Sequence, residues 1–399
     1  MDVVALGESM VTFLPTRPGR LADVPSFDRA IGGAESNVAC ALAATGHSAR
    51  WVSRVGADGF GDHLVEAVGA YGVDVAHVRR DPTRPTGIYF RTAADRATAA
   101  HEVAYYRSGS AASAMTVDNV DLAAVRAGRV LHLSGITAAL SGECRELLRE
   151  LTAPSPGRPL ISFDVNHRPG LWRDPDGPRV LLELARRADI VFVGEDEAEA
   201  AWGVTGGPDS IRTLLAEPSV LVVKEGARGA TVFERERGDG GRPCPFPAGS
   251  RAAGAAPAPQ KGGTPSAKGG TPSAKSGNPS AKGGTPPAPG SVTHRWPAPT
   301  RGTFVPALAV DVVATVGAGD AFAAGFLSAT LRGLPLRARL RHGHLMAAAA
   351  LTTPGDLAPP PTRSHADRLA ALDDDAWGRL RLGPGWTQAE QAPEEAITP

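Results

Sequence analysis

The sequence predicts an α/β fold in which a mainly parallel sheet carries helices on both faces and a small β element projects from it. Two observations point there. Short apolar runs alternate with amphipathic segments along most of the chain, and one pair of segments interrupts them with apolar–polar alternation. The apolar runs are "VVALGE" (Val3–Glu8), "ARWVSRVG" (Ala49–Gly56), "VLHLSG" (Val130–Gly135), "LISFDVN" (Leu160–Asn166), "IVFVGE" (Ile190–Glu195) and "VLVVKEG" (Val220–Gly226), each of a length suited to a buried strand. Between them, "DGFGDHLVEAVGAYG", "DGPRVLLELARRA" and "EDEAEAAWG" read as helices. Strand then helix, repeated, implies parallel pairing, because parallel neighbours need a crossover. Ligands in such folds bind beyond the carboxyl ends of the strands. The polar punctuation lies there: "DVNHR", "GEDE" and "KEGARG" each follow a strand.

The interruption consists of "TGIYFRTA" (Thr86–Ala93) and "AHEVAYYRSGSA" (Ala100–Ala111), separated by "ADRAT". Period-two alternation predicts an antiparallel hairpin carrying Tyr89, Tyr105, Tyr106 and Arg107. It is either a lid or decoration. A second interruption runs from Gly238 to about Ser291, where Lys, Gly, Thr, Pro, Ser and Ala recur in a seven-residue repeat. Lacking large apolar side chains, it cannot offset the entropy of ordering and is expected to be a disordered surface insertion. Proline in every copy excludes a coiled coil. The C-terminal "GPGWTQAEQAPEEAITP" is expected to be loose as well.

Composition excludes several classes of function. The chain has 399 residues, 42% hydrophobic and 21% charged, as in ordinary globular proteins. Its formal net charge is zero, which offers no electrostatic footprint for nucleic acid. Cys40, Cys144 and Cys244 show neither metal-ligand spacing nor a disulfide framework, in keeping with a reducing compartment. No apolar run reaches the roughly 18 residues of a membrane span. "MDVVALGE" lacks the basic and long apolar regions of a secretory signal. A cytoplasmic location without membrane partners is the expectation.

Two glycine-broken turns hold the candidate chemistry. In "VVATVGAGDAFAAGF" (Val312–Phe326), Gly317 and Gly319 free the backbone to aim successive N–H groups at an anion. The helix that follows adds its own unpaired N–H groups and dipole. Asp320 either accepts a hydroxyl proton as phosphate is transferred or merely caps the helix. In "IGGAESNVACALAATG" (Ile31–Gly46), Gly32 and Gly33 either let the backbone approach a ligand or form a simple turn before a tightly packed helix. No Gly-Lys-Ser/Thr follows the glycines of the later turn, so it is not a Walker loop.

In this order, and separated by strand–helix units, "GGAESNVA" and "VGAGDAFAAGF" resemble the paired signatures of the ribokinase-like (PfkB) sugar kinases. "YYRSGSAASAM", "LHLSGITAALS", "FDVNHRPGLW" and "VVKEGARGA" look most like the 2-keto-3-deoxygluconate kinase branch of that family. The resemblance implies a three-layer ribokinase-like sandwich over residues 1–379, with β-lid elements at about 12–29 and 77–111. The insertion at about 238–291 interrupts it, and a flexible tail follows at 380–399. The implied activity is ATP-dependent phosphorylation of the terminal hydroxyl of a sugar acid, with 2-keto-3-deoxygluconate foremost. A fructokinase or ribokinase activity, or a catalytically silent sugar-binding regulatory protein, is the alternative.

The resemblance also implies roles. Asp320 is the general base, and the N–H groups of Gly317, Ala318 and Gly319 form the anion hole. Gly33, Tyr89, Tyr105, Arg107, Arg168 and Asp356 meet the sugar acid. Asn166, Lys224, Gly226 and Gly229 lie on the nucleotide side, and Glu197 faces magnesium indirectly. A carboxylate substrate calls for a cation, and Arg107 and Arg168 supply one unless they are plain surface arginines. His132 and His167 are expected to be structural. ATP, Mg2+ and a homo-oligomer paired through the lid complete the expectation. Three residues depart from the family pattern. Ala314 stands where many members carry an Asp that helps hold a monovalent cation, and Val316 replaces another oxygen-bearing residue. Gly194 replaces the Asn of an Asn-x-x-Glu element. A monovalent cation held by a carboxylate is therefore doubtful.

Overall fold

Each apolar run becomes a strand of one sheet. The computed structural model describes residues 1–17, 19–92, 102–172, 175–235 and 302–388. In chain order the strands are β1 (Val3–Leu6), β2 (Met10–Pro15), β3 (Phe27–Gly32), β4 (Ala49–Gly56), β5 (Val78–Asp81), β6 (Ile88–Arg91), β7 (Val103–Tyr106) and β8 (Val130–Ser134). They continue as β9 (Leu160–Asp164), β10 (Ile190–Gly194), β11 (Val220–Lys224), β12 (Gly229–Glu234), β13 (Thr303–Pro306), β14 (Ala309–Val310) and β15 (Arg381–Leu382). The helices begin with α1 (Ala34–Ala44), α2 (Gly59–Ala70), α3 (Leu122–Arg126), α4 (Gly135–Leu140) and α5 (Gly142–Thr152). After them come α6 (Gly177–Arg187), α7 (Glu195–Trp202), α8 (Pro208–Leu214), α9 (Ala318–Leu331) and α10 (Leu336–Leu351).

Among the described residues the large sheet has nine strands in the order β13-β12-β11-β10-β9-β8-β1-β4-β5. Pairing from β11 to β5 is parallel throughout, and β12 and β13 add an antiparallel edge. Alternate side chains of each strand enter opposite cores, as the pleat requires. On β1, Val3 and Ala5 join a core with Val38 and Leu42 of α1 and Phe322 and Phe326 of α9. Val4 and Leu6 join the other core, with Leu147 and Leu148 of α5 and Leu181 and Leu184 of α6. Two cores on one sheet make three layers. Each fully buried Val, Leu or Phe adds about 1.5–3 kcal/mol of transfer free energy, so the doubly covered strands anchor the fold.

A second, four-stranded sheet has the order β3-β2-β6-β7, and the expected hairpin forms as the antiparallel pair β6–β7. Two expectations need correction. Residues 78–81, assigned to the lid range, form β5 and pair with β4 in the large sheet, because Val78 packs against its apolar core. The start of the supposed tail is ordered on the body. Arg381 and Leu382 pair with Ala309 and Val310, and Leu380, Leu382 and Trp386 are buried, which is reason enough for the segment to dock. The repeat insertion, the residues joining β6 to β7, and the last residues of the tail lie outside the described residues.

Candidate active site

The large sheet delivers polar side chains to one edge. Glu8 follows β1, Thr137 follows β8, Asn166 and Arg168 follow β9, Glu197 lies on α7 after β10, and Lys224 ends β11. All sit at the carboxyl ends of parallel strands, where such sheets bind ligands. Two helix N-termini meet there as well. Gly33 is the N-cap of α1 and Gly317 the N-cap of α9.

Gly317 adopts φ 79°, and a Cβ there would lie 2.2 Å from the carbonyl oxygen of Asp356. Glycine is thus required twice over. The N–H groups of Ala318, Gly319 and Asp320 open α9, where helix geometry provides no acceptor, so they are free for an anion. Lys224 reaches the same turn, since a Cβ on Gly319 would sit 3.7 Å from its Nζ. Because Gly317 holds the cap position, the Asp320 carboxylate is not used as the N-cap and instead accepts a 2.9 Å hydrogen bond from Asn37 Nδ2 on α1. Burial pushes the Asp320 pKa up to about 7. The Asn37 bond opposes that rise, the nearby Asp164 charge adds to it, and Lys224 works against it.

Carboxylates balance every cation around this turn. Lys224 Nζ lies 3.2 Å from Asp164 and 3.8 Å from Glu197. Burial works against its charge, but the two carboxylates outweigh it and hold the ammonium above its ordinary pKa. Glu197 Oε2 accepts from Gly194 N–H at 2.7 Å, and its Oε1 lies 3.3 Å from Arg168 Nη1. Arg168 remains 55% exposed at its side chain, whereas Arg107, tied to Glu8, is only 10% exposed. Asn166, at φ 39°, is nearly buried and its Oδ1 has no protein partner. Gly226 and Gly229 lie farther along, shaping the connection from β11 to β12 with φ 60° and 148°.

The small sheet contributes the opposite wall. Tyr89 OH donates to Asp356 Oδ2 at 2.6 Å, and the Tyr89 and Tyr105 rings lie 5.5 Å apart. Arg107 and Ser110 both bond to Glu8. On the α1 side, a Cβ on Gly33 would lie 2.5 Å from the Glu8 carbonyl oxygen. Glu35 is fully buried and accepts from the Thr137 hydroxyl at 2.5 Å; burial pushes its pKa up to about 8. His132 is buried on β8 against Ser162, 3.0 Å away, and burial drops its pKa to about 3, which suits a structural histidine. Ala314 is buried just before the glycine turn, and its methyl cannot ligate a cation.

Asp320, Gly317, Ala318, Gly319 and Lys224 therefore converge, as do Tyr89, Tyr105 and Asp356. The partners of Asn37, Arg91, Asp164 and Glu8 appear only in the fold. Asn37 stood within a quoted motif, but its contact lies 283 positions away.

The pfkB family carbohydrate kinase model matches residues 1–250 and 295–363. The chain belongs to that family. It is similar to the 2-dehydro-3-deoxygluconokinase of Thermoproteus tenax, 34% identical over 58% of this chain and 72% of the relative. It is also similar to the 2-dehydro-3-deoxygluconokinase of Bacillus subtilis (strain 168), 30% identical over 93% of this chain and 95% of the relative. Among solved structures, a PfkB protein from Polaromonas sp. JS666 superposes with a TM-score of 0.67 at 29% identity, covering 92% of this chain and 99% of that one. Among the described residues, no group of three or more His, Cys, Asp or Glu side chains forms a metal cage, and no helix is long and apolar enough to cross a membrane.

Proposed function

We propose that this pfkB-family kinase transfers the γ-phosphoryl group of ATP to the terminal hydroxyl of a 2-keto-3-deoxy sugar acid, 2-keto-3-deoxygluconate foremost. The observation that carries the reading is Asp320 itself, set at the mouth of an anion-binding helix and held near neutrality by its surroundings. As the hydroxyl oxygen attacks the γ-phosphorus, its proton passes to the Asp320 carboxylate. The bond from phosphorus to the bridging oxygen breaks and ADP leaves. A base near pKa 7 suits this task at neutral pH. The N–H groups of the turn and the Lys224 ammonium lie where negative charge builds on the transferring group.

The sugar acid occupies the space between Asp320 and the small sheet, near Gly33, Tyr89, Tyr105 and Arg107, with Asp356 beside it. Its carboxylate meets Arg107. The forked guanidinium has five donors, so it serves Glu8 and the substrate together. Arg168, the more exposed cation and paired with Glu197, is the second cation offered to the sugar acid, while Asn166, Lys224, Gly226 and Gly229 serve the nucleotide side. Magnesium arrives with the triphosphate, whose charge it neutralises. Both Glu197 oxygens already have nitrogen donors within 3.3 Å, so Glu197 fits the ion only through water. A cytoplasmic location and a homo-oligomer paired through the small sheet belong to the same reading.

A panel of sugars and sugar acids with ATP tests it. The expected result is a kcat/KM for a 2-keto-3-deoxy acid at least about tenfold above that for fructose or ribose, the margin a charged contact supplies. A neutral sugar as the better substrate overturns the proposal. Sugar-induced thermal stabilisation with no phosphorylation of any substrate favours a binding protein. Asp320→Asn is expected to lower kcat by about 10²–10⁴, the usual span for a general base. The variant should fold well. Asp320 holds its proton more tightly in the folded state than its ordinary value of 3.8 allows, so it subtracts stability as pH rises from about 4 to about 7. At pH 8 the Asn variant is expected to melt no lower than the parent.

A further inference from the structure

Asp356 is a tightly held carboxylate near the candidate site, and its geometry differs from that of a simple substrate ligand. Tyr89 and Arg91 are two residues apart on β6, so both project from the same face. Tyr89 OH donates to one Asp356 oxygen at 2.6 Å, and Arg91 Nη2 donates to the other at 2.9 Å. The Arg91 and Asp356 side chains are 5% and 4% exposed. Burial pushes the Asp356 pKa up, and the Arg91 charge with the two hydrogen bonds works against that rise.

The backbone of the same residue touches the other half of the molecule. The Asp356 carbonyl oxygen and carbon fill the space a Gly317 side chain would need, at 2.2 and 3.0 Å from the Cβ position. The Asp356 Oδ2 atom, with the Tyr89 hydroxyl, similarly fills the space above Gly32. One residue thus binds β6 of the small sheet through its side chain and abuts the turn that opens α9 through its main chain. A shift of β6 is passed to Gly317, because close-packed groups transmit displacement rather than absorb it.

We propose that Arg91 is a positioning residue that, through Asp356, couples the small sheet to the anion-binding turn at Gly317–Gly319. It rests on the proposed role of that turn. Closing of the small sheet over a sugar would then set the N–H groups of the turn, without Arg91 touching either substrate. Tyr89 alone holds one oxygen; Arg91 supplies the charge and the second bond that fix the carboxylate plane.

The first test needs no turnover. Amide hydrogen exchange is followed at Ala321, whose N–H donates to the Gly317 carbonyl at 2.9 Å, in the full chain carrying Arg91→Met or Arg91→Lys. Tyr106→Ser, on the exposed outer strand of the same sheet, is the control. Loss of local protection in Arg91→Met should speed exchange there by about fivefold or more, with a smaller change in Arg91→Lys and none in the control. In steady-state kinetics, Arg91→Met should lower kcat by about 10- to 100-fold with the sugar KM within about threefold, since small misplacements cost rate rather than binding. Arg91→Lys should recover most of it. Unchanged exchange at Ala321 in Arg91→Met, equal exchange increases in the control, or no recovery by lysine overturns the coupling. If the methionine variant does not fold, the lysine variant decides: exchange identical to the parent overturns the inference. A parent enzyme that phosphorylates no sugar sinks the proposed function, and the exchange result still judges the coupling.

Discussion

The two glycine turns before α1 and α9 look alike in sequence and do different work. Gly33 has φ 175°, ordinary extended backbone, so its need for glycine comes only from the Glu8 and Ser9 backbone packed against it. Gly317 lies in the left-handed region and is also pressed by Asp356. The helix after Gly33 presents a neutral amide, Asn37; the helix after Gly317 presents a carboxylate, Asp320. The two helices pack together so that the first side chain donates to the second. Under the proposed function, one turn lines a binding wall and orients the base, while the other carries the base and the anion site. Similar motifs divide one task between them.

Alanine at each glycine separates these roles. Gly317→Ala adds left-handed strain of about 1–3 kcal/mol to a steric conflict with backbone. Displacement of the anion-binding N–H groups should then lower kcat by about 100-fold or more, judging by the loss of one such donor elsewhere. Gly33→Ala meets backbone too, but no conformational strain, and should raise the sugar KM by about tenfold with kcat within a few-fold, the pattern of lost ground-state binding. Steady-state kinetics at matched fractions of folded protein check both. The reverse pattern, kcat lost at Gly33 and KM at Gly317, would break the comparison.

A smaller effect tests the link between the turns. The Asn37 amide donates to the ionised form of Asp320, so it holds the base below where burial alone would put it. Removing it in Asn37→Ala raises the Asp320 pKa further. The acid limb of kcat/KM, expected near pH 7 in the parent, should move up by about one unit, as loss of a hydrogen bond to a charged group implies. At pH 7 the variant loses about fivefold and regains much of it by pH 8.5. An unmoved limb would mean that Asn37 does not tune the base.

What was legible in the sequence follows from how far each interaction reaches. The strands were readable because apolar runs and the helical period are local, and β4 matches its expected span from Ala49 to Gly56. The glycine turns were readable because their backbone demand is local too. Their pairing was not: Asn37 meets Asp320, and Arg91 meets Asp356, only after the chain has wound the sheet. The same limit hid Glu8, whose ion pair makes Arg107 a shared cation rather than a free one. Residues 78–81 misled for a different reason, since a short strand between polar turns carries no mark of which sheet it will join.

The smallest expected effect concerns the repeat insertion, and it contrasts both turns with the far end of the sheet. β11 runs toward the candidate site, with Lys224 at its end, and β12 returns antiparallel to it. Ala230 pairs with Lys224 near the site, while Glu234 pairs with Val220 at the other end of the strand. β13 then pairs with β12, Val232 opposite Thr303 and Gly229 opposite Pro306. Arg235 and Gly302 thus leave a ladder that is already in register, about five residues of strand, or roughly 17 Å, from the edge that holds Asp320 and Lys224. A short turn in place of residues 236–301 closes the same hairpin. Kinetic constants are expected to stay within about twofold, since the replacement joins the strands away from the edge that holds Asp320 and Lys224. Shortening a connection of that length also lowers the entropic cost of closure, by about 2.5 kcal/mol at most in the flexible-loop limit, so the melting temperature should hold or rise. A fall in kcat comparable to that of Gly317→Ala would show that the insertion reaches the glycine turns after all, and the contrast between the two ends of the sheet would fail.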